Sequence, residues 1–152
     1  MALETGRYII KNGENIVGRA LAEDLSLRPK RVILTDHGST VVIHFLQWAV
    51  EKLGNNLDTF YTLISNGSPT AHIEHNVYAL VIDRELATKW YIRPIPQNGE
   101  TAYIVTGTDR EGGWVAPGKV GEQIEYKPLI VAPSEPPRYP TNQVFHFTKV
   151  ED

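Results

Sequence analysis

The chain has 152 residues, a formal net charge of -3 and no cysteine. The missing cysteines exclude a disulfide framework, thiolate catalysis and thiolate zinc sites, and the slight negative charge gives no general attraction to nucleic acid or to an anionic membrane. No apolar run approaches the ~20 residues that cross a bilayer. The first residues lack the apolar stretch of a secretory signal, so we expect a cytoplasmic protein.

Short runs rich in Val, Ile, Tyr and Thr alternate with Gly, Pro, Asn and Asp along the chain, and helical periodicity is almost absent. This pattern is typical of an all-β protein. Asn12-Gly13 and Asn66-Gly67 each follow such a run and predict tight turns. In chain order, the predicted strands are 6–11, 15–20, 30–35, 41–52, 59–64, 70–74, 77–82, 88–94, 101–106, 113–117, 124–131 and 142–149.

Aromatic residues recur along these strands at intervals of roughly 50 residues. One set lies in the first strand of each group of four and consists of Tyr8, Tyr61 and Tyr103. The other set lies in the closing strands and consists of Trp48, Trp90 and Phe145. The recurrence predicts a single domain of three repeats, at about 1–56, 57–98 and 99–152.

Three repeats of four strands predict a β-trefoil, in which six strands close a small barrel and the other six form three hairpins that cap one end. We expect the aromatics of the closing strands to fill the barrel, because large aromatics at equivalent repeat positions dominate such cores. A role in ligand binding is not expected for them.

The predicted loops differ in length between the repeats. The second repeat has a tight hairpin between its second and third strands, whereas the first and third repeats carry extra residues there. Taking Val32, Leu80 and Ile130 as equivalent points in the third strands, the connection to the closing strand is also shorter in the second repeat. Extra loop length costs little closure entropy, so it persists where it serves a function.

The longer loops carry basic residues beside proline. Arg28-Pro29 lies in the first insertion, Lys127-Pro128 ends the third, and Arg138 lies in a proline-rich segment at 133–140. A stiff, exposed loop with one basic side chain is typical of inhibitors of trypsin-like proteases, whose specificity pocket has an acid at its base. The common alternative is that these residues are solvated turn residues without a partner.

Seven segments, taken together in this order, form a distinctive set that runs over essentially the whole chain. They are Glu4-Thr5-Gly6-Arg7-Tyr8, Val17-Gly18-Arg19-Ala20, Glu23-Asp24-Leu25-Ser26-Leu27, Pro29-Lys30-Arg31, Pro69-Thr70-Ala71-His72-Ile73-Glu74, Gly113-Trp114-Val115-Ala116-Pro117 and Pro133-Ser134-Glu135-Pro136-Pro137. The set resembles the mushroom serine protease inhibitors of the cospin-like or mycospin group.

The resemblance implies a β-trefoil without disulfides that inhibits trypsin tightly and related serine proteases more weakly. It also implies defence against the digestive enzymes of animals that eat the fungus. Inhibitors of this size usually act as monomers, and nothing in the sequence points to an enzyme or to a cofactor.

The reactive loop is assigned from the residues of this chain, because members of the family need not share one loop. We expect the loop between the second and third strands to carry Arg28 as the P1 residue, with Leu27 as P2, Pro29 as P1′ and Lys30 as P2′. Asp24 and Ser26 are expected to brace the loop through hydrogen bonds to its backbone. The alternative P1 residues are Lys127 and then Arg138; a P1 residue at Leu27 would favour chymotrypsin-like targets instead.

Two other functions stay open. One is a carbohydrate-binding trefoil. The ricin-type lectins have a Gln-x-Trp repeat in each lobe, whereas here Gln47 directly precedes Trp48 and the other repeats lack the glutamine. The other is inhibition of papain-like cysteine proteases through a different surface. His72 and His75 do not predict a metal site, because they straddle the tight hairpin of the second repeat and lack a third ligand at a known spacing.

Overall fold

A computed structural model describes residues 3–36, 45–54 and 60–150. Within these ranges, short 3₁₀ turns lie at Arg84–Leu86, Pro96–Asn98 and Thr141–Gln143. No helix among the described residues is long and apolar enough to span a membrane. In this part of the chain the strands are β1 (Gly6–Asn12), β2 (Asn15–Arg19), β3 (Lys30–Thr35), β4 (Trp48–Leu53), β5 (Phe60–Ser65), β6 (Ser68–Ile73), β7 (Asn76–Ala79), β8 (Tyr91–Pro94), β9 (Ala102–Thr106), β10 (Gly112–Val115), β11 (Glu125–Pro128) and β12 (Phe145–Lys149).

Six strands pair in a closed ring, which is the predicted barrel. The antiparallel pairs are β1–β4, β4–β5, β8–β9, β9–β12 and β12–β1. The remaining junction, β5–β8, is closed by Tyr61 and Trp90, whose backbone amides each donate to the other's carbonyl over 2.8 Å. The all-β trefoil prediction is confirmed.

The other six strands form three hairpins, β2–β3, β6–β7 and β10–β11, which are hydrogen-bonded to one another. Strand β3 pairs with β7. The β10–β11 hairpin joins both neighbours, since Ile124 donates to the Val32 carbonyl over 2.8 Å and Val77 donates to the Ile124 carbonyl over 3.0 Å. This triangular array is the predicted cap.

Trp48, Trp90 and Phe145 are completely buried, as predicted. All three pack around Trp114 of β10, with ring centroids 5.6 or 5.7 Å from its ring. Three closing strands and one cap hairpin therefore share a single aromatic cluster. The central position of Trp114 in this cluster was not anticipated from the sequence.

The strand boundaries explain where the predicted loop lengths hold and where they fail. The turn between β6 and β7 is residues 74–75, whereas the corresponding loops are 20–29 and 116–124, so this predicted contrast is confirmed. The prediction for the next connection is wrong in part. Strands β7 and β11 end at Ala79 and Pro128, so Leu80 and Ile130 lie outside them.

Consequently, the connection 80–90 is about as long as 36–47, and 129–144 is the long one. Leu80 donates its amide to the Pro69 carbonyl, and Ile130 bonds to the side chain of Gln143. Leu80 thus bonds to strand β6, and Ile130 bonds to a residue within the connection 129–144, although neither residue lies in a third strand. The first part of the predicted strand 41–52 lies outside the described residues.

Candidate functional site

The loop at residues 20–29 connects β2 and β3 at the cap, and its outer residues are exposed. Leu25 is 100% exposed and Leu27 is 59% exposed. Arg28 and Pro29 are also exposed, whereas Lys30, the first residue of β3, is buried. The loop therefore presents Leu27, Arg28 and Pro29 to the solvent.

Side chains within the loop hold its backbone in place. The carboxylate of Asp24 accepts hydrogen bonds from the Ser26 hydroxyl and from the Ser26 amide, the latter over 3.0 Å. The Ser26 hydroxyl oxygen in turn accepts from the Arg28 amide over 3.3 Å. The predicted bracing by Asp24 and Ser26 is confirmed, and it reaches the residue expected at P1.

Lys30 lies beneath the loop, so its side chain does not project outward as a P2′ contact would. Its ammonium donates to the carbonyls of Asp24 and Ser26 over 3.0 and 2.9 Å. It also contacts the Asp24 carboxylate and, over 3.3 Å, the Ser26 hydroxyl. These hydrogen bonds, first those of Lys30 and then those of Ser26, hold the pKa of Asp24 well below its usual value.

A second ion pair fixes the start of the loop. The guanidinium of Arg19, at the end of β2, donates to both carboxylate oxygens of Glu23, over 2.7 and 3.0 Å. It also donates to the Ser65 carbonyl over 3.0 Å, which ties the loop to the β5–β6 turn. Sequence reasoning missed this pair, because opposite charges four residues apart pair predictably only in a helix, and residues 19–23 are a strand end and an irregular loop.

The two alternative P1 residues lie on other segments. Lys127 lies within β11, where it is paired with Gly113 of β10, and its ammonium is 3.3 Å from Glu125. The Arg138 carbonyl accepts from the Ala132 amide over 2.8 Å, and the Arg138 amide donates back over 3.3 Å. The three basic residues therefore lie on three separate segments, each with its own contacts.

The backbone around Arg28 differs from both alternatives. Among the described residues, no hydrogen bond uses the backbone of Leu27 or the carbonyl of Arg28. Those groups are free to pair with the extended backbone of a partner. In contrast, the backbone groups of Lys127 and Arg138 already have partners within the chain.

The described residues contain no group of three His, Asp or Glu side chains that could hold a metal ion. His72 instead stacks on Tyr126, with ring centroids 3.7 Å apart. His75 lies in the exposed turn between β6 and β7.

The model of the peptidase inhibitor I66 family matches residues 1–149 of this chain. A curated serine protease inhibitor of Lentinula edodes is 53% identical over 150 residues, which cover 99% of this chain and 100% of that protein. The solved structure of a proteinase inhibitor from Coprinopsis cinerea is 35% identical, with a TM-score of 0.84 over 98% of this chain and 100% of that one.

A β-trefoil named BEL has the same fold at 11% identity, with a TM-score of 0.61 over 99% of this chain and 97% of that one. The likeness to BEL concerns the fold alone, whereas the family model and the first two proteins are similar in sequence along nearly the whole chain. This chain belongs to the peptidase inhibitor I66 family and is therefore an inhibitor and not an enzyme.

Proposed function

We propose that this protein inhibits trypsin-like serine proteases by inserting the side chain of Arg28 into their specificity pocket. The observation that carries the proposal is the combination of an exposed Arg28 with a braced backbone behind it. Family membership supports protease inhibition in general, and the serine protease inhibitor from Lentinula edodes supports the class of target.

The braced loop supports tight binding on entropic grounds. A flexible loop loses conformational freedom when it docks, and this loss weakens the complex. Here the hydrogen bonds of Asp24, Ser26 and Lys30 already hold residues 24–28 in the free protein. Less freedom is therefore lost when the protease binds.

The position of Pro29 supports resistance to digestion. Proline directly after a basic residue makes that peptide bond a poor substrate for trypsin-like enzymes. Because Pro29 also fixes its own φ and restricts Arg28 to extended conformations, it favours the backbone shape that a protease cleft accepts. Arg28 would then be bound as a substrate residue but cut slowly.

The experiment compares the inhibition constants of Arg28→Ala, Lys127→Ala and Arg138→Ala against trypsin. Loss of the Arg28 guanidinium leaves the acid of the pocket unpaired, which costs at least ~3 kcal/mol, or more than about 100-fold in affinity. The other two variants are matched controls and keep the wild-type constant. Thermal unfolding shows that each variant is folded. Equal potency of all three variants would remove Arg28 from the site.

Two further assays test the alternatives. A carbohydrate-binding trefoil would bind sugars on a glycan array and would not inhibit trypsin. An inhibitor of papain-like enzymes would keep papain inhibition after Arg28 is replaced. We expect no glycan binding, and no inhibition of papain that persists after Arg28 is replaced.

We also propose that the protein acts as a monomer, is held in the cytoplasm and defends its source against the digestive proteases of grazing animals. The proposal extends the resemblance to mushroom inhibitors and the similarity to the Lentinula edodes protein. Sedimentation at micromolar concentration tests whether the protein is a monomer. Feeding assays with wild-type protein and Arg28→Ala test the defensive role.

A further inference from the structure

The ammonium of Lys30 joins residues on both sides of the Arg28–Pro29 bond. Lys30 follows this bond in the chain, whereas its acceptors in Asp24 and Ser26 precede it. The side chain of Lys30 is only 8% exposed, although that of Asp24 is 71% exposed. Among the side-chain hydrogen bonds of residues 20–30 in the described structure, those of Lys30 alone cross the bond.

We propose that Lys30 is the positioning residue that keeps the two sides of the Arg28–Pro29 bond together when a bound protease cuts it. The inference rests on the proposed function, since it requires Arg28 to be the P1 residue. Hydrolysis adds one water across the bond and leaves a carboxylate on Arg28 and a protonated secondary amine on Pro29. The reverse reaction joins the two groups again and releases the same water.

The two ends of a cut loop are anchored independently of the bond itself. Lys30 is fixed in β3, where it pairs with Ala79 of β7. The preceding segment is held at Glu23 by the paired guanidinium of Arg19. Without Lys30, however, residues 24–28 would have no side-chain hydrogen bond to the following segment among the described residues.

The hydrogen bonds of Lys30 are suited to this task because a charged donor in a poorly solvated position bonds strongly. Held in this way, the new carboxylate and amine stay near each other, and their rejoining is effectively an intramolecular reaction. The cut protein would therefore keep its inhibitory shape. It would also be converted back to the intact form while it is bound to the protease.

The test uses the full chain with Pro29→Ser, because serine after Arg28 makes the bond cleavable at a measurable rate. This variant is compared with the double variants Pro29→Ser/Lys30→Met and Pro29→Ser/Lys119→Met. Lys119 is exposed in the β10–β11 loop, so its replacement removes the same charge without touching loop 20–29. Each protein is incubated with a catalytic amount of trypsin. Mass spectrometry gives the cut fraction, and residual inhibition is measured over time.

We expect Pro29→Ser and its Lys119→Met control to reach a stable mixture of cut and intact forms. Both should lose less than about twofold in potency, because the hydrogen bonds of Lys30 to Asp24 and Ser26 persist. The variant with Lys30→Met should be cut completely and lose at least about tenfold in potency over the same time. A time course equal to that of the control would overturn the inference. Failure of the proposed function looks different, because Pro29→Ser would then not inhibit trypsin even at the start.

Lys30 is buried, so its replacement could unfold the protein, and circular dichroism and thermal unfolding check this. If it does, Asp24→Ala/Ser26→Ala in the Pro29→Ser background gives the answer, because it removes two acceptors of the ammonium and leaves Lys30 in place. Faster and more complete cutting of this variant supports the inference. Cutting at the rate of Pro29→Ser alone overturns it.

Discussion

The rings of His72 and Tyr126 stack face to face, with centroids 3.7 Å apart and an angle of 3° between their planes. The pair joins β6 to β11 and so connects the cap hairpins of the second and third repeats. Burial lowers the pKa of His72, and the attraction of Asp109 opposes this shift. Burial also raises the pKa of Tyr126 to about 12, so its hydroxyl stays protonated and donates to Asp109 over 3.3 Å.

The partly buried His72 ring predicts a loss of stability at acidic pH. In the unfolded chain the ring takes up a proton near pH 6.5, whereas the folded ring does so only at lower pH. The unfolded state therefore binds more protons as the pH falls below about 6.5, and the free energy of unfolding decreases. Urea unfolding at pH 7 and pH 5 measures this decrease in the free energy of unfolding.

His72→Gln should reduce the pH dependence of the free energy of unfolding. His75→Gln, in the exposed turn of the same hairpin, should leave that pH dependence unchanged. Equal pH dependence in wild type and His72→Gln would contradict the prediction.

Gly18→Ala is expected to destabilise the fold, because the added methyl group must displace the side chain of Leu46. A Cβ atom at this position would lie 2.5 Å from Cδ2 of the buried Leu46. Gly18→Ala should therefore lower the free energy of unfolding by about 1–3 kcal/mol through overpacking. Gly118→Ala is the control, because nothing lies within 4 Å of its added Cβ. The prediction fails if denaturant unfolding gives both variants the same stability.

Glu23→Gln should weaken inhibition more than it weakens the fold. The change replaces the carboxylate that accepts two of the hydrogen bonds of Arg19 with a neutral amide that has one acceptor oxygen, so the start of the loop is less firmly held. We expect trypsin inhibition to fall about tenfold, which corresponds to about 1.4 kcal/mol of lost preorganisation. Glu51→Gln, at an exposed position on β4, is the matched control. Identical inhibition constants for the two variants would show that the pair does not shape the loop.

Arg28→Phe should exchange one class of target for another. An aromatic side chain suits the hydrophobic pocket of chymotrypsin-like enzymes and leaves the acid in the trypsin pocket unpaired. Inhibition of trypsin should fall more than about 100-fold, and inhibition of chymotrypsin should rise by at least about tenfold. The same change at Arg138 should alter neither constant. A chymotrypsin gain in the Arg138→Phe protein instead would move the reactive site to the proline-rich loop.

Much of the fold could be predicted because the chain repeats its aromatics. Trp48, Trp90 and Phe145 recur at equivalent places, and a core of three equivalent strands requires such recurrence. Trp114 could not be placed in the same way, because the second strands of the other two repeats, β2 and β6, contain no Phe, Tyr or Trp. Its burial depends on packing between repeats, which no local pattern encodes.

The direction of the Lys30 side chain was in principle readable from the sequence. Lys30, Val32 and Leu34 alternate along β3, and all three are buried on the same face. The neighbouring basic residues favoured the opposite expectation, an exposed Lys30, because a run of cations usually lies on a solvated surface. The Arg19–Glu23 pair was harder to foresee, because its geometry depends on how the irregular loop returns to the barrel.

The aromatic cluster around Trp114 makes the protein its own optical reporter. The sequence holds three tryptophans, and two of their ring distances are 5.6 and 5.7 Å. Indoles this close exchange excitation and couple in the near-ultraviolet circular dichroism spectrum. Separation of the cap hairpin of Trp114 from the barrel would therefore change the emission and the dichroism together, without any attached label.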